Sequence, residues 1–308
     1  MGFRLRTRTL ACAAGKYGRS QTMDLISMFN RALPLFCIAV ISLSILLGCK
    51  RQSSSVVPNL KTWERARFEP GGGDAMVLYV VYGSFANDPT ISGSAYRTTG
   101  VPKGVAMRRL NRTHQPVLPF TDGDFAKVLR NDNASLFARV EQAPECMVIQ
   151  GEVADPSNLN YLRDCVGLVA YFVDHGGVAV TDPQQLKFYD PAEWRRAFFE
   201  AHEPGVHRHV SILFSAEESG GRWFHTRGMR KFGRPDLSLH NVPEKYEKAA
   251  IELCNRFIEL QAGGGRIPDG QEIQMSSLPG GLVCRHKGSL DDPDFNNVHV
   301  EIQFPANR

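Results

Sequence analysis

The sequence predicts a mixed α/β domain in which helices pack against a mixed, partly antiparallel sheet. Short runs rich in β-branched and aromatic residues, such as Met76-Val-Leu-Tyr-Val-Val-Tyr82, are typical of buried strands. Longer segments with apolar residues at helical spacing lie between these runs. The two kinds of segment interleave without a strict βαβ repeat, and this favours a mixed sheet over a parallel one.

By composition the chain of 308 residues divides into three parts. Residues 1–48 are basic and end in an apolar run, residues 49–75 are polar with a Ser and a Gly triplet, and residues 76–308 carry the strand and helix patterns. We interpret these parts as a leader, a flexible tether and one folded domain. A sufficient leader begins at Met23 or Met28, so we expect translation to start at one of them.

The strands of the domain are recognised by apolar, β-branched runs. After the first strand, the segment from Gly83 to Pro102 reads as a loop. The expected strands are 76–82, 146–153, 178–180, 209–214, 237–239 and 298–304.

Capping residues delimit the expected helices. The clearest helix has Asp155 at its N-cap, Pro156 at its first position and Gly176 after its last turn. Shorter helices are expected from Asp122 or Thr121 to Arg130 and from Asp190-Pro191. A long helix from about Pro243 to Gln261 ends at a glycine triplet.

The leader predicts export. From Ala32 to Gly48 every residue is apolar or small, with Arg31 before this run and Lys50-Arg51 after it, which is the layout of a secretory signal. The four residues Leu46-Leu47-Gly48-Cys49 resemble the lipobox of bacterial lipoproteins. The resemblance implies cleavage before Cys49, a thioether-linked diacylglycerol on its sulfur, and membrane anchoring by two or three acyl chains.

The position of the anchor is also suggested by the leader. Lys50 stands where some lipoproteins carry the aspartate that retains them at the inner membrane, so the periplasmic face of the outer membrane is favoured. An uncleaved signal anchor is the alternative, because Leu47 is bulky for its place in a lipobox.

The charge of the chain argues against nucleic acid as a partner. The formal net charge of +4 comes from the leader, which holds six of the 36 basic residues and one of the 32 acidic residues. The remaining 30 basic and 31 acidic residues give a net charge of −1. Such a domain lacks the broad positive field that phosphate binding needs.

Three histidines make a candidate metal site. His207 and His209 lie two residues apart on an expected strand and would share one face, and His225 or Glu203 would complete a three-ligand zinc site. The alternative is that these are histidines of the surface and of strand edges. Zinc is the one cofactor that this pattern suggests. Cys146, Cys165, Cys254 and Cys284 match no metal motif, and an exported compartment would permit disulfides in any of three pairings. Cys165 and Cys254 lie among apolar neighbours in expected helices, which favours unpaired thiols.

A second candidate site lies in the segment from Trp223 to Leu237. It combines one indole with Arg227, Arg230 and Arg234, a composition that suits a partner-binding surface. A packed loop that covers the edge of the sheet is equally consistent with this composition. The stretch Thr226-Arg-Gly-Met-Arg-Lys-Phe-Gly-Arg-Pro-Asp236, together with residues 168–180, resembles an uncharacterised bacterial α/β domain family. The resemblance spans about residues 145–305 and implies a fold but no activity.

Three functions stay open on the sequence alone. The first is a lipid-anchored envelope domain that binds a ligand or an envelope protein and performs no chemistry, because we find no convincing catalytic set. The second is a zinc-assisted hydrolase of envelope substrates that uses His207, His209 and His225. The third is a structural lipoprotein without a specific ligand.

Overall fold

The structure is a computed structural model that describes residues 60–87, 90–218 and 220–304. Within these ranges the chain forms six α-helices and two five-stranded sheets. The predicted fold class, mixed α/β with helices on a partly antiparallel sheet, is confirmed. The strands form two separate sheets, and those from Ser211 onward pair with each other and not with the first strand.

The first sheet is antiparallel throughout. Its strands are β1 (Ala75–Gly83), β2 (Val105–Asn111), β3 (Glu145–Val153), β4 (Gly177–Asp182) and β5 (Lys187–Tyr189). They lie in the order β2-β3-β1-β4-β5. All nine residues of the central strand β1 are buried, as its continuous apolar run predicts.

Helices cover both faces of this sheet. On the side of Leu78 and Val80 lie α2 (Gly123–Asp132) and α3 (Ala134–Gln142), which follow the short helix α1 (Gly93–Tyr96). On the side of Val77 and Tyr79 lie α4 (Asn160–Asp174) and α5 (Pro191–Trp194). Successive residues of β1 therefore enter two different cores.

The second sheet has one covered face. Its strands are β6 (Ser211–Ala216), β7 (Arg222–Arg227), β8 (Asp236–Val242), β9 (Arg285–Lys287) and β10 (His299–Gln303). The order is β6-β7-β8-β10-β9, and the β8-β10 pair is parallel. The last helix, α6 (Glu247–Ala262), packs Leu253 and Phe257 against Leu237, Leu239 and Val300.

A tight turn joins the two sheets. The 3₁₀ turn Met229–Phe232 connects β7 to β8 and inserts Met229 and Phe232 into the core beside β1. Between them in space, Lys231 Nζ lies 2.8 Å from Asp182 Oδ2 on β4, and both side chains are fully buried. The sheets are thus held together by an apolar contact and a buried ion pair.

The folded part begins before Met76. Trp63 is 5% exposed and its backbone N–H donates to Asn160 Oδ1 at 3.0 Å. Arg65 is buried, and its guanidinium donates to four backbone carbonyls in three other segments, at Pro156, at Phe232, and at Gln261 and Ala262. Residues 60–75 of the expected tether therefore contact the domain through Trp63 and Arg65, and residues 49–59 lie outside the described ranges.

Two expected elements begin later than predicted. The helix expected from Asp155 starts at Asn160, because the Asp155 carboxylate accepts a hydrogen bond from Gly71 N–H and pairs with Arg234 instead of capping. The strand expected from His209 starts at Ser211, because Val206–His209 forms a 3₁₀ turn.

The four cysteines of the domain, Cys146, Cys165, Cys254 and Cys284, are buried and unpaired, and Cys165 and Cys254 lie in helices as predicted. Burial raises the pKa of all four thiols, so they behave as small apolar side chains. In the part of the chain that the structure describes, no helix has the length and apolar character needed to cross a membrane.

Candidate functional site

The second sheet has a face that no helix of the described chain covers. It carries the side chains opposite to those packed on α6, and we call it the open face. Its central residues are Trp223 and His225 on β7, Ser238 and His240 on β8, and His299 and Glu301 on β10. Phe295, from the loop before β10, lies against this group of rings.

Aromatic rings stack across the open face. The indole of Trp223 is nearly parallel to the imidazole of His225, with ring centres 4.0 Å apart, and to that of His240 at 5.4 Å. Phe295 meets Trp223 and His225 edge-on and stacks on His299 at 4.4 Å. The rings form one continuous cluster that stiffens this side of the sheet.

A β-bulge positions His240. Between the pairs Arg222–Val242 and Phe224–Leu239, β8 has one residue more than β7, and Asn241 adopts a positive φ of 56°. Glu217, in the turn between β6 and β7, accepts hydrogen bonds from Asn241 N–H at 2.5 Å and from His240 Nδ1 at 2.8 Å. One carboxylate therefore fixes both the bulge and the imidazole.

Ser238, His240 and Glu217 form a hydrogen-bonded chain with the connectivity of a hydrolase triad. Ser238 Oγ lies 3.1 Å from His240 Nε2, and His240 Nδ1 contacts Glu217 as described above. Ser238 is fully buried, however, and its Oγ accepts a hydrogen bond from Trp223 Nε1 at 2.8 Å. Its strand is paired on both sides, so its backbone N–H groups serve the sheet and not an oxyanion. These hydrogen bonds fix the position of His240, and the buried Ser238 hydroxyl is not presented as a nucleophile.

The charged groups on the open face are mostly carboxylates, and its buried imidazoles are neutral. Burial lowers the pKa of His225 to about 3 and also lowers the pKa of His299, so both imidazoles are neutral near pH 7. Three carboxylates surround them: Glu217 and Glu301 are about one-fifth exposed, and Asp292 lies 3.7 Å from His299 Nδ1. Lys287 pairs with Glu301 at 2.9 Å.

The three arginines predicted to bind a partner do not form an exposed surface. Arg227, Arg230 and Arg234 are all less than 10% exposed, because each guanidinium donates to backbone carbonyls inside the fold. Arg227 reaches Asp294, Arg230 reaches Asn296 at 2.9 Å, and Arg234 reaches Gly264 at 2.7 Å. Of the predicted set, Trp223 alone is partly exposed, and it lies at the centre of the open face.

The three histidines predicted to bind zinc are not brought together. His207 is exposed on a 3₁₀ turn and contacts Glu259 at 3.0 Å. His209 is buried beside Tyr79, and His225 belongs to the ring cluster of the open face. The described ranges contain no group of three or more His, Cys, Asp or Glu side chains arranged to hold a metal ion.

Several residues of the open face were missed from the sequence, namely Glu217, Ser238, His240, Phe295, His299 and Glu301. The signal that could have found part of this set is the alternation of polar side chains along Ser238-Leu-His240 and His299-Val-Glu301. Two cavities beside β1 have volumes of about 10 and 20 Å³, enough for a water molecule in each. The larger of the two is lined in part by Phe295 of the open face.

No protein-family model, no curated protein and no solved structure matches this chain. The residues of the open face and of the leader are therefore the features from which a function can be inferred.

Proposed function

We propose that this chain is a lipid-anchored protein of the bacterial envelope whose exported domain binds a partner protein through the open face. The observation that carries the binding proposal is the Trp223, His225 and His240 stack on a sheet face that no described helix covers. Trp223 and His240 are partly exposed, and the buried His225 holds Trp223 in place. Rigidly held aromatic side chains lose little entropy on binding, so they suit an interface.

The chemistry of the open face suggests what kind of partner it fits. Three carboxylates lie on it, those of Glu217, Asp292 and Glu301, and Lys287 is paired with Glu301. A partner surface rich in lysine and arginine side chains would supply donors and opposite charge.

The anchor proposal rests on the lipobox resemblance at Leu46-Leu47-Gly48-Cys49. The sulfur of Cys49 would carry the lipid, and Lys50 would direct the protein to the periplasmic face of the outer membrane. Cys49 lies outside the described residues, so this proposal depends on the sequence.

Lipidation is tested by metabolic labelling of the full chain with an alkyne analogue of palmitate in a bacterial host. We expect Cys49→Ser to lose the label and Cys37→Ser, a matched change inside the leader, to keep it. The intact mass of the labelled protein should begin at acylated Cys49. Label retained by Cys49→Ser, or a mature chain that keeps residues 23–48, would overturn the anchor.

Partner binding is tested by placing a photo-crosslinking amino acid at Gln303 or Lys287, both exposed beside the open face, and at Lys248 on α6 as control. We expect a discrete adduct with one protein from the first two positions and none from Lys248. The adduct should weaken at least several-fold when Glu217→Gln and His240→Ala are added. Equal adducts from Lys248, or no adduct from either open-face position, would contradict the proposal.

A further inference from the structure

The edges of the two sheets differ in how well they are protected. An edge strand has unpaired backbone groups that can bind another strand, and proteins block this with charges, short length or bulges. Within the described chain the edges are β2, β5, β6 and β9. β2 carries the exposed Arg108, and β5 and β9 are three residues long and carry lysine or arginine.

The edge strand β6 has none of these protections. Its six residues, Ser-Ile-Leu-Phe-Ser-Ala, include no charge and no proline, and all six pair with β7 without a bulge. Ile212, Leu213 and Phe214 are partly exposed. Phe214 stacks on Phe224, and the guanidinium that lies over its ring, from Arg222, is paired with Glu247. A long, uncharged and regular edge of this kind is suited to pairing with another strand.

The side chains of β6 are compatible with antiparallel pairing between the β6 strands of two copies of the chain. In an antiparallel pair, residues opposite each other must point to the same face, so only registers centred on a residue keep the faces matched. With Leu213 at the centre, Ile212 of each copy lies opposite Phe214 of the other copy, on the face that packs against α6. Ser211 of each copy lies opposite Ser215 of the other, and no like charges meet.

We propose that two copies of this chain pair through β6, antiparallel across a two-fold axis at Leu213, to form a continuous sheet from two five-stranded sheets. The contact is isologous and therefore closed, which limits assembly to a dimer. The same register places both open faces on one side of the joined sheet. This inference concerns a different surface from the proposed partner site, and each can fail without the other.

Disulfide trapping of the full chain in detergent tests the register. In the proposed dimer the two copies of residue 213 lie roughly 5 Å apart, within disulfide reach, so Leu213→Cys should form a covalent dimer under mild oxidation. Ser215→Cys is the matched control on the same strand and face, because its two copies lie on the order of 13 Å apart. The parent chain, with its native cysteines only, sets the background.

A several-fold excess of covalent dimer in Leu213→Cys over Ser215→Cys supports the pairing. Equal trapping in the two variants, or none above the parent chain, overturns it. Sedimentation of the unsubstituted chain in detergent gives a second reading that needs no variant. A dimer mass at micromolar concentration that shifts to monomer in Leu213→Lys, with circular dichroism unchanged, agrees with the proposal, and a monomer throughout contradicts it.

Discussion

Two histidine side chains, His209 and His225, lie in surroundings that hold them neutral. His225 is 9% exposed between Trp223 and Phe295, and His209 is 1% exposed beside Tyr79 and close to the ammonium group of Lys231. Burial lowers the pKa of both imidazoles, for His225 from 6.5 to about 3. In the unfolded chain they take up protons below about pH 6.5, so each contributes stability at neutral pH that is lost as the pH falls.

We expect His225→Phe to reduce the acid sensitivity of the fold. Phenylalanine keeps the stack on Trp223 but cannot take up a proton, so the unfolded state loses its advantage at low pH. Between pH 7 and pH 5 the wild-type chain should lose roughly 1–2 kcal/mol more unfolding free energy than the variant. Urea unfolding at both pH values measures the difference, and parallel losses in the two proteins would show that His225 takes up its proton in the folded state.

The pH dependence of stability has to be compared with that of a variant, because Asp236 changes stability with pH in the opposite direction to His225. Burial raises the pKa of its carboxyl from 3.8 to about 6, although Thr226 and Asn297 donate hydrogen bonds to it. The folded state therefore binds a proton here between about pH 6 and pH 4 that the unfolded state does not bind. This site gains stability as the pH falls, so the absolute slope of the wild-type protein does not isolate His225.

At the scale of elements, the turn Met229–Phe232 is the main connection between the sheets. Its Lys231 is paired with Asp182 on β4, and its ammonium group also donates to the carbonyl of His209 at 3.1 Å. Burial lowers the pKa of Lys231 and raises that of Asp182, and each charge opposes the shift of the other. A charge left alone in this position would have neither water nor a counter-ion.

We expect Lys231→Met to destabilise the protein by roughly 3–5 kcal/mol, because it leaves the Asp182 carboxylate buried without its partner. The double variant Lys231→Met with Asp182→Asn should be less destabilised than the sum of the two single changes. Denaturant midpoints of the four proteins complete the double-mutant cycle. Strictly additive effects would mean that the pair has no coupling energy.

The elements that the sequence predicts well are those with strong periodicity. The strand at Met76–Tyr82 and the helix ending before Gly176 were found because apolar spacing reports burial directly. The strand Val105–Asn111 and the helix Ala134–Gln142 were missed because both mix charged and apolar residues. Asp155 looked like a cap, but long-range contacts with Gly71 and Arg234 decided its conformation.

The candidate site was predicted only in part, for a similar reason. The sequence suggests separate roles for Trp223 and His225, because their mutual contact depends on strand pairing. Glu217 reaches His240 only through the hairpin and the bulge. The arginines suggested a surface because side-chain burial cannot be deduced from charge. The Gly71-Gly72-Gly73 triplet suggested a tether, but a Cβ at Gly72 would lie 1.6 Å from Arg234 Nη1.

At the scale of the whole molecule, the described residues form three apolar cores around two sheets. Two of the cores lie on either side of β1, and the third lies between the second sheet and α6. Ile212, on the edge strand β6, packs against both the first core and the third. The open face is thus supported from behind by the third core, while the β6 edge lies where two cores meet.

The burial of Trp63 and Arg65 would limit the distance between the domain and a membrane if the chain is lipid-anchored as proposed. If Cys49 carries the lipid, eleven peptide units connect it to Leu60, the first described residue. Fully extended, they reach at most about 40 Å, which is comparable to the width of the domain itself. The domain would then be held within about one molecular diameter of the lipid headgroups, so its partners would be membrane proteins or molecules that come to the bilayer surface.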